Sequence, residues 1–98
     1  MTLPIRFLPG AKDEYDAAVD WYEQRQPGLG ATFIAQVREV LQRIAVNPSI
    51  YAAVYQDVRQ APVRHFPYTL VYREDQGELV IIAVFHSSRD PSVWQSRV

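Results

Sequence analysis

Ninety-eight residues, 48% of them hydrophobic, suffice for one domain around one core, and a formal net charge of −1 lacks the cation excess that sequence-independent nucleic-acid binding needs. The absence of cysteine excludes a disulfide framework and a thiolate metal site, so neither a metal nor a cofactor is expected. No apolar run is long enough to span a bilayer and the first residues lack a secretory pattern, so a soluble, cytoplasmic protein without a membrane partner is expected.

The chain opens on Leu3-Pro4-Ile5-Arg6-Phe7-Leu8, a short apolar run whose proline cannot donate to a ladder, which places a first strand near a sheet edge. Pro9-Gly10 ends it. Tyr15, Ala18, Val19 and Tyr22 then recur at spacings of three and four, the pattern of an amphipathic helix, with acids near its start favouring the helix dipole. Between Lys12 and Glu23 this segment carries Asp13, Glu14, Asp16, Asp20 and Glu23 against one cation. Pro27, Gly28 and Gly30 mark a reversal. A second helix follows from Leu29 to Val46, with Phe33, Val37, Val40, Leu41 and Ile44 as its apolar stripe and Asn47-Pro48 as its stop.

Beyond a loop holding Ile50, Tyr51 and Tyr55, the pattern predicts a three-stranded antiparallel meander. Its strands cover Asp57–His65, Tyr68–Arg73 and Leu79–Phe85, and Glu74-Asp75-Gln76-Gly77 reads as a type I turn closed through a bulge. Pro62 demands an edge position or a bulge. The fold class is thus α+β in the order β-α-α-β-β-β, with both helices on one face, and residues 1–98 form a single domain.

The last strand, Leu79-Val80-Ile81-Ile82-Ala83-Val84-Phe85, is apolar at both parities. Two helices cover one face of a small sheet, so the other is left apolar unless Val93 and Trp94 fold back over it. A partner segment laid there would contact Val80, Ile82 and Val84, with Arg59 and Tyr72 beside them.

Arginine accounts for every cation except Lys12, which suits planar recognition of carboxylate or phosphate. Arg59, Arg64, His86 and Arg89 could support RNA cleavage, with the histidine as acid or base, the arginines clamping phosphate, and Tyr68 or Tyr72 orienting the base. Against this stand the single lysine and the five-residue spacing of Arg59 and Arg64, which regular alternation puts on opposite faces. The aromatics on the first helix follow helical spacing, as a core or interface would, and Trp94 is expected to anchor the tail.

Pro27-Gly28-Leu29-Gly30, Phe33, Asn47-Pro48, Val58-Arg59, Phe66-Pro67-Tyr68, Tyr72 and His86-Ser87-Ser88-Arg89-Asp90-Pro91 with Trp94, in that order, resemble the RelE/ParE superfamily of toxins from type II toxin-antitoxin systems. The resemblance implies a helical hairpin on a twisted antiparallel sheet, a cognate antitoxin that wraps the domain, and toxicity when the antitoxin is lost. It also implies one of two targets, DNA gyrase or messenger RNA on the ribosome. The near-neutral charge and long hairpin favour gyrase, in which case no residue is catalytic. The ribosome-dependent endoribonuclease and a nontoxic protein-binding module stay open as alternatives.

Overall fold

In the computed structural model, which describes residues 2–98, the elements are β1 (Ile5–Phe7), α1 (Pro9–Arg25), α2 (Leu29–Val46), a 3₁₀ turn (Pro48–Ile50), β2 (Ala53–Tyr55), β3 (Val58–Pro62), β4 (Tyr68–Asp75), β5 (Glu78–His86) and α3 (Ser92–Gln95). α1 begins at Pro9, whose fixed φ and missing N–H suit a first helical position. Its acids therefore lie beyond the first turn, where the dipole no longer favours them.

The reversal after α1 is held by a side chain. The Glu23 carboxylate accepts the backbone N–H groups of Gly28, at 3.0 Å, and Gly30, at 3.0 Å, and so caps α2 from the last turns of the preceding helix. Gly28 has φ 90°, a left-handed geometry that glycine adopts without a Cβ penalty. Glu23→Ala should cost about 1 kcal/mol, as loss of a helix cap does, and lower Tm by roughly 4–8 °C, whereas Glu23→Gln keeps an acceptor and should lose less. Thermal melts of the two variants check this.

The sheet has five strands in the order β1-β5-β4-β3-β2, so the expected three-stranded meander is only its centre. β2 lies in the stretch read as a loop; it turns back onto β3 through Gln56, at φ 53°, and its three residues are too few to display alternation. β1 is an edge strand, as Pro4 suggested, but pairs parallel to β5 across Leu79–Ile81. Pro62 ends β3. Since Val63 N–H bonds the Tyr68 carbonyl, alternation turns the Pro62 nitrogen away from β4, toward a side that β2, paired only at Val58 and Arg59, does not reach.

The β4–β5 turn is tighter than expected. Asp75 pairs with Glu78, leaving Gln76 and Gly77 at φ 50° and 79°, the two positive values of a type I′ turn. Further along, Val71 pairs with Ala83 but Tyr72 with Ile81, so Ile82 is an extra residue, a β-bulge.

That bulge explains the doubly apolar strand. Leu79, Ile81 and Val84 join Phe33, Val37, Ile44, Leu70 and Tyr72 in the core beneath the helices, while Ile82, Ala83 and Phe85 join Val58, Val71 and Trp94 in a second cluster on the opposite face. The expectation of an open apolar face is therefore corrected: α3 folds back and buries Trp94 to 2% exposure, the alternative in which the tail supplies the cover. No helix among the described residues is long and apolar enough to cross a membrane.

Candidate functional site

Where α1 diverges from the end of β5, a cleft of about 770 Å³ opens between Asp13, Glu14, Ala17, Ala18, Trp21 and Tyr22 on one wall and Pro67, Tyr68, Val84, His86, Ser88 and Arg89 on the other. Its aromatic surface is continuous with the core. Tyr22 meets Phe33 at 5.3 Å, Phe66 at 4.9 Å and Tyr68 at 6.2 Å between ring centroids, with the last two contacts edge-to-face. Trp21 is half exposed at the mouth, with the Arg25 guanidinium 4.3 Å from its ring centre.

His86 and Arg89 share this cleft. The imidazole stands edge-on to Tyr68 with centroids 5.0 Å apart, and its Nδ1 accepts the Ser88 backbone N–H at 3.0 Å, with Ser88 Oγ at 2.8 Å. An Nδ1 that accepts leaves the proton of the neutral ring on Nε2, which is then a donor. Burial pushes the Tyr68 phenol above its ordinary value, against the pull of Arg89 and with the help of Glu14, so at neutral pH it is a platform and a hydrogen-bond donor. Burial likewise raises Tyr22, with Tyr68 adding to the effect.

Glu14 is the hub of the cleft's inner end. One carboxylate oxygen accepts the Val84 N–H at 3.1 Å, and both accept from the Arg97 guanidinium at 3.0 Å. Arg97 also donates to the Ile82 carbonyl at 2.9 Å, while Arg89 stands 3.5 Å from Glu14. Gly10 makes room for this: a Cβ there would lie 2.8 Å from the guanidinium carbon. Sequence reasoning passed over both Glu14 and Arg97. The available signal was helical period, since Glu14 falls three residues after Ala11 and four before Ala18, inside the buried stripe of α1.

The other candidates lie elsewhere. Arg59 donates to the Tyr51 carbonyl, and the Tyr72 hydroxyl donates to the Pro48 carbonyl at 2.7 Å, so both tie the 3₁₀ turn to the sheet. Burial holds the Tyr72 phenol above its usual value, opposed by Arg59. Arg64 follows the end of β3 and lines a shallow depression with Gln36, Arg43 and Tyr51; strand alternation does not carry through to it. Val80, Ile82 and Val84 are only 4%, 1% and 1% exposed, covered within the chain itself. Among the described residues no cluster of His, Cys, Asp and Glu suits a metal ion.

Comparison with known proteins agrees with this architecture. The family described as "ParE toxin of type II toxin-antitoxin system, parDE" matches residues 5–91. Toxin ParE2 of Mycobacterium tuberculosis, in strains CDC 1551 / Oshkosh and ATCC 25618 / H37Rv, is 25% identical over 99 residues, which is 100% of this chain and 94% of the relative. The fold is shared with a chain of the chromosomal ParDE TA system from P. aeruginosa at TM-score 0.74 and 16% identity, over 87% of this chain and 96% of that one. A helical hairpin on a five-stranded sheet, matched by the family over nearly its whole length, belongs to the ParE toxins of type II toxin-antitoxin systems.

Proposed function

We propose that this toxin is silenced in the cytoplasm by a cognate antitoxin and, when released, acts on DNA gyrase by binding rather than by cleaving RNA. The observation that carries the choice of target is the dispersal of the four groups a nuclease would need. Arg59 is committed to the Tyr51 carbonyl and Arg64 lines a separate depression. In the cleft, His86 Nδ1 is occupied by its own turn and Arg89 is partly balanced by Glu14. An endoribonuclease acting through a ribose 2′-hydroxyl needs a base and a phosphate clamp aimed at one point. His86 offers a donor, and one half-exposed arginine stands beside it.

The nuclease reading keeps one favourable feature, since His86, Arg89 and Tyr68 do share the cleft. Both readings meet in one experiment. The purified protein is added to a gyrase supercoiling assay and to a translating extract in which messenger-RNA ends are mapped. Loss of supercoiling is expected, with no new RNA ends, and His86→Ala should inhibit gyrase as the parent does. Codon-linked RNA ends that vanish in His86→Ala, with supercoiling untouched, would reverse the assignment. Activity in neither assay would reduce the chain to a binding module.

A further inference from the structure

The arginines of this chain are unevenly placed. From Arg25 to Arg73 it carries Arg25, Arg38, Arg43, Arg59, Arg64 and Arg73 against two acids, Glu39 and Asp57, while acids outnumber cations on either side of that stretch. Three of these arginines gather around Tyr51. Arg43 donates to the Tyr51 hydroxyl at 3.3 Å and Arg59 to the Tyr51 carbonyl, and Arg64 lines, with Tyr51, Gln36, Glu39 and Arg43, a depression of about 280 Å³ between α2 and the end of β3. Glu39, 3.3 Å from Arg43, is the only carboxylate paired with any of the three among the described residues, since Asp57 pairs with Arg73. Three guanidiniums thus face one carboxylate, an excess of two positive charges. Gln36 Oε1 is buried without a hydrogen-bond partner, and a turn of the amide about its last bond puts two N–H donors in its place. A tight turn carries Arg64: the Phe66 N–H bonds the Val63 carbonyl at 3.3 Å and His65 takes φ 71°, so the backbone is fixed while Arg64 itself is exposed.

We propose that this depression is an oxyanion site for one dianionic phosphate, the terminal phosphate of a monoester, held between Arg43 and Arg64 with the Tyr51 hydroxyl and the Gln36 amide as neutral donors. Guanidinium forks match phosphate oxygens two at a time. The Tyr51 hydroxyl accepts from Arg43 and keeps its own proton to donate. A phosphate monoester carries about −1.5 to −2 at neutral pH, which matches the excess of positive charge, whereas a backbone phosphodiester or a carboxylate brings a single charge. The depression is smaller than the roughly 300–1,000 Å³ that encloses a drug-sized ligand, so the phosphate enters and the group it esterifies stays outside. Such a phosphate ends either a small ester or a nucleic-acid strand, and the chemistry at the arginines is the same for both. The site shares no residue with the cleft between α1 and β5, so it is independent of the gyrase reading.

The test is NMR of the arginine side-chain N–H signals of the full chain, titrated with inorganic phosphate against sodium chloride of equal ionic strength. The Arg43 and Arg64 signals should shift saturably with phosphate alone, while those of Arg6 and Arg25, exposed elsewhere, stay in place. Arg64→Ala, at an exposed position, should weaken phosphate binding by roughly tenfold or more, as the loss of a charge-assisted bond does, and Glu39→Gln, which removes the one carboxylate, should tighten it. Equal shifts at every exposed arginine, or an Arg64→Ala variant that binds phosphate as the parent does, would overturn the site. Methyl phosphate and a short DNA single strand with a 5′-phosphate or a 5′-hydroxyl end then identify the source. Tighter binding of the 5′-phosphorylated strand than of methyl phosphate assigns a nucleic-acid end, and equal binding assigns a small ester. A 5′-hydroxyl strand that binds as well as the phosphorylated one would overturn the monoester in favour of the phosphodiester backbone.

Discussion

Trp94→Ala should be the most damaging single substitution on the tail-facing side of the sheet, costing about 3–5 kcal/mol, the range for emptying a buried aromatic site. Trp94 is 2% exposed, stands edge-to-face on Tyr55 at 5.8 Å, and closes the cluster of Val58, Val71, Ile82, Ala83 and Phe85. Its loss opens that cluster to water, leaving only the partly buried Leu8, Tyr55 and Val98 packed against it. Small domains hold only about 5–15 kcal/mol in total, so the variant should unfold at a much lower denaturant midpoint. Trp94→Phe makes the cause visible. The indole Nε1 is buried without a hydrogen-bond partner, so phenylalanine loses ring volume but also removes an unsatisfied donor, and should cost well under half as much. Denaturant titrations of both variants check this; equal losses would mean that an indole-specific interaction, rather than packing, holds the tail.

The second large effect belongs to Glu14. Glu14→Ala strands the Val84 N–H and leaves Arg97 without its carboxylate, in a site where the two side chains are 11% and 24% exposed. Removing one member of a largely buried pair leaves an uncompensated charge, and a loss of about 2–4 kcal/mol is expected. Lys12, two residues earlier on the same helix, provides the contrast: its pair with Asp16 is more than half exposed on both sides and screened by solvent, and Lys12→Ala should leave the denaturation midpoint nearly unchanged. The double variant Glu14→Ala/Arg97→Ala should lose clearly less than the sum of the two single changes, because neither charge is then left alone. A strictly additive result in chemical denaturation would show that the pair is not coupled.

The helical half of this fold is plainly written in the chain. Phe33, Val37, Val40 and Ile44 mark one buried stripe, and the signals at Gly28 and at Asn47-Pro48 bound α2 where the structure bounds it. Local chemistry also located the β4–β5 hairpin, although Asp75 and Glu78 pair and Gln76-Gly77 take the two positive φ values of a two-residue turn, shorter than the four-residue reading. What escaped depends on pieces distant in sequence. β1 is three residues long and acquires meaning only from Leu79–Ile81; the bulge at Ile82 looks like any other apolar residue in an apolar run. The same holds for the site. His86 and Arg89 were legible because titratable and cationic residues at a strand end attract notice, whereas Glu14 looked like one acid among five. Only its approach to Val84 and Arg97, far along the chain, distinguishes it from Asp13 and Asp16.

The parallel pairing of β1 with β5 also sets an order of assembly. The first strand to leave the ribosome pairs with the last, and the residues that cover one face of that neighbour and bond its edge, Trp94 and Arg97, come later still. Helices can form early because their contacts are local, but the sheet cannot close until nearly the whole chain is available, since the loop that separates β1 from β5 must be paid for in entropy before any pairing returns it. A chain lacking Trp94 and Arg97 would therefore have neither the covered second face of its sheet nor the ion pair at the inner end of its cleft.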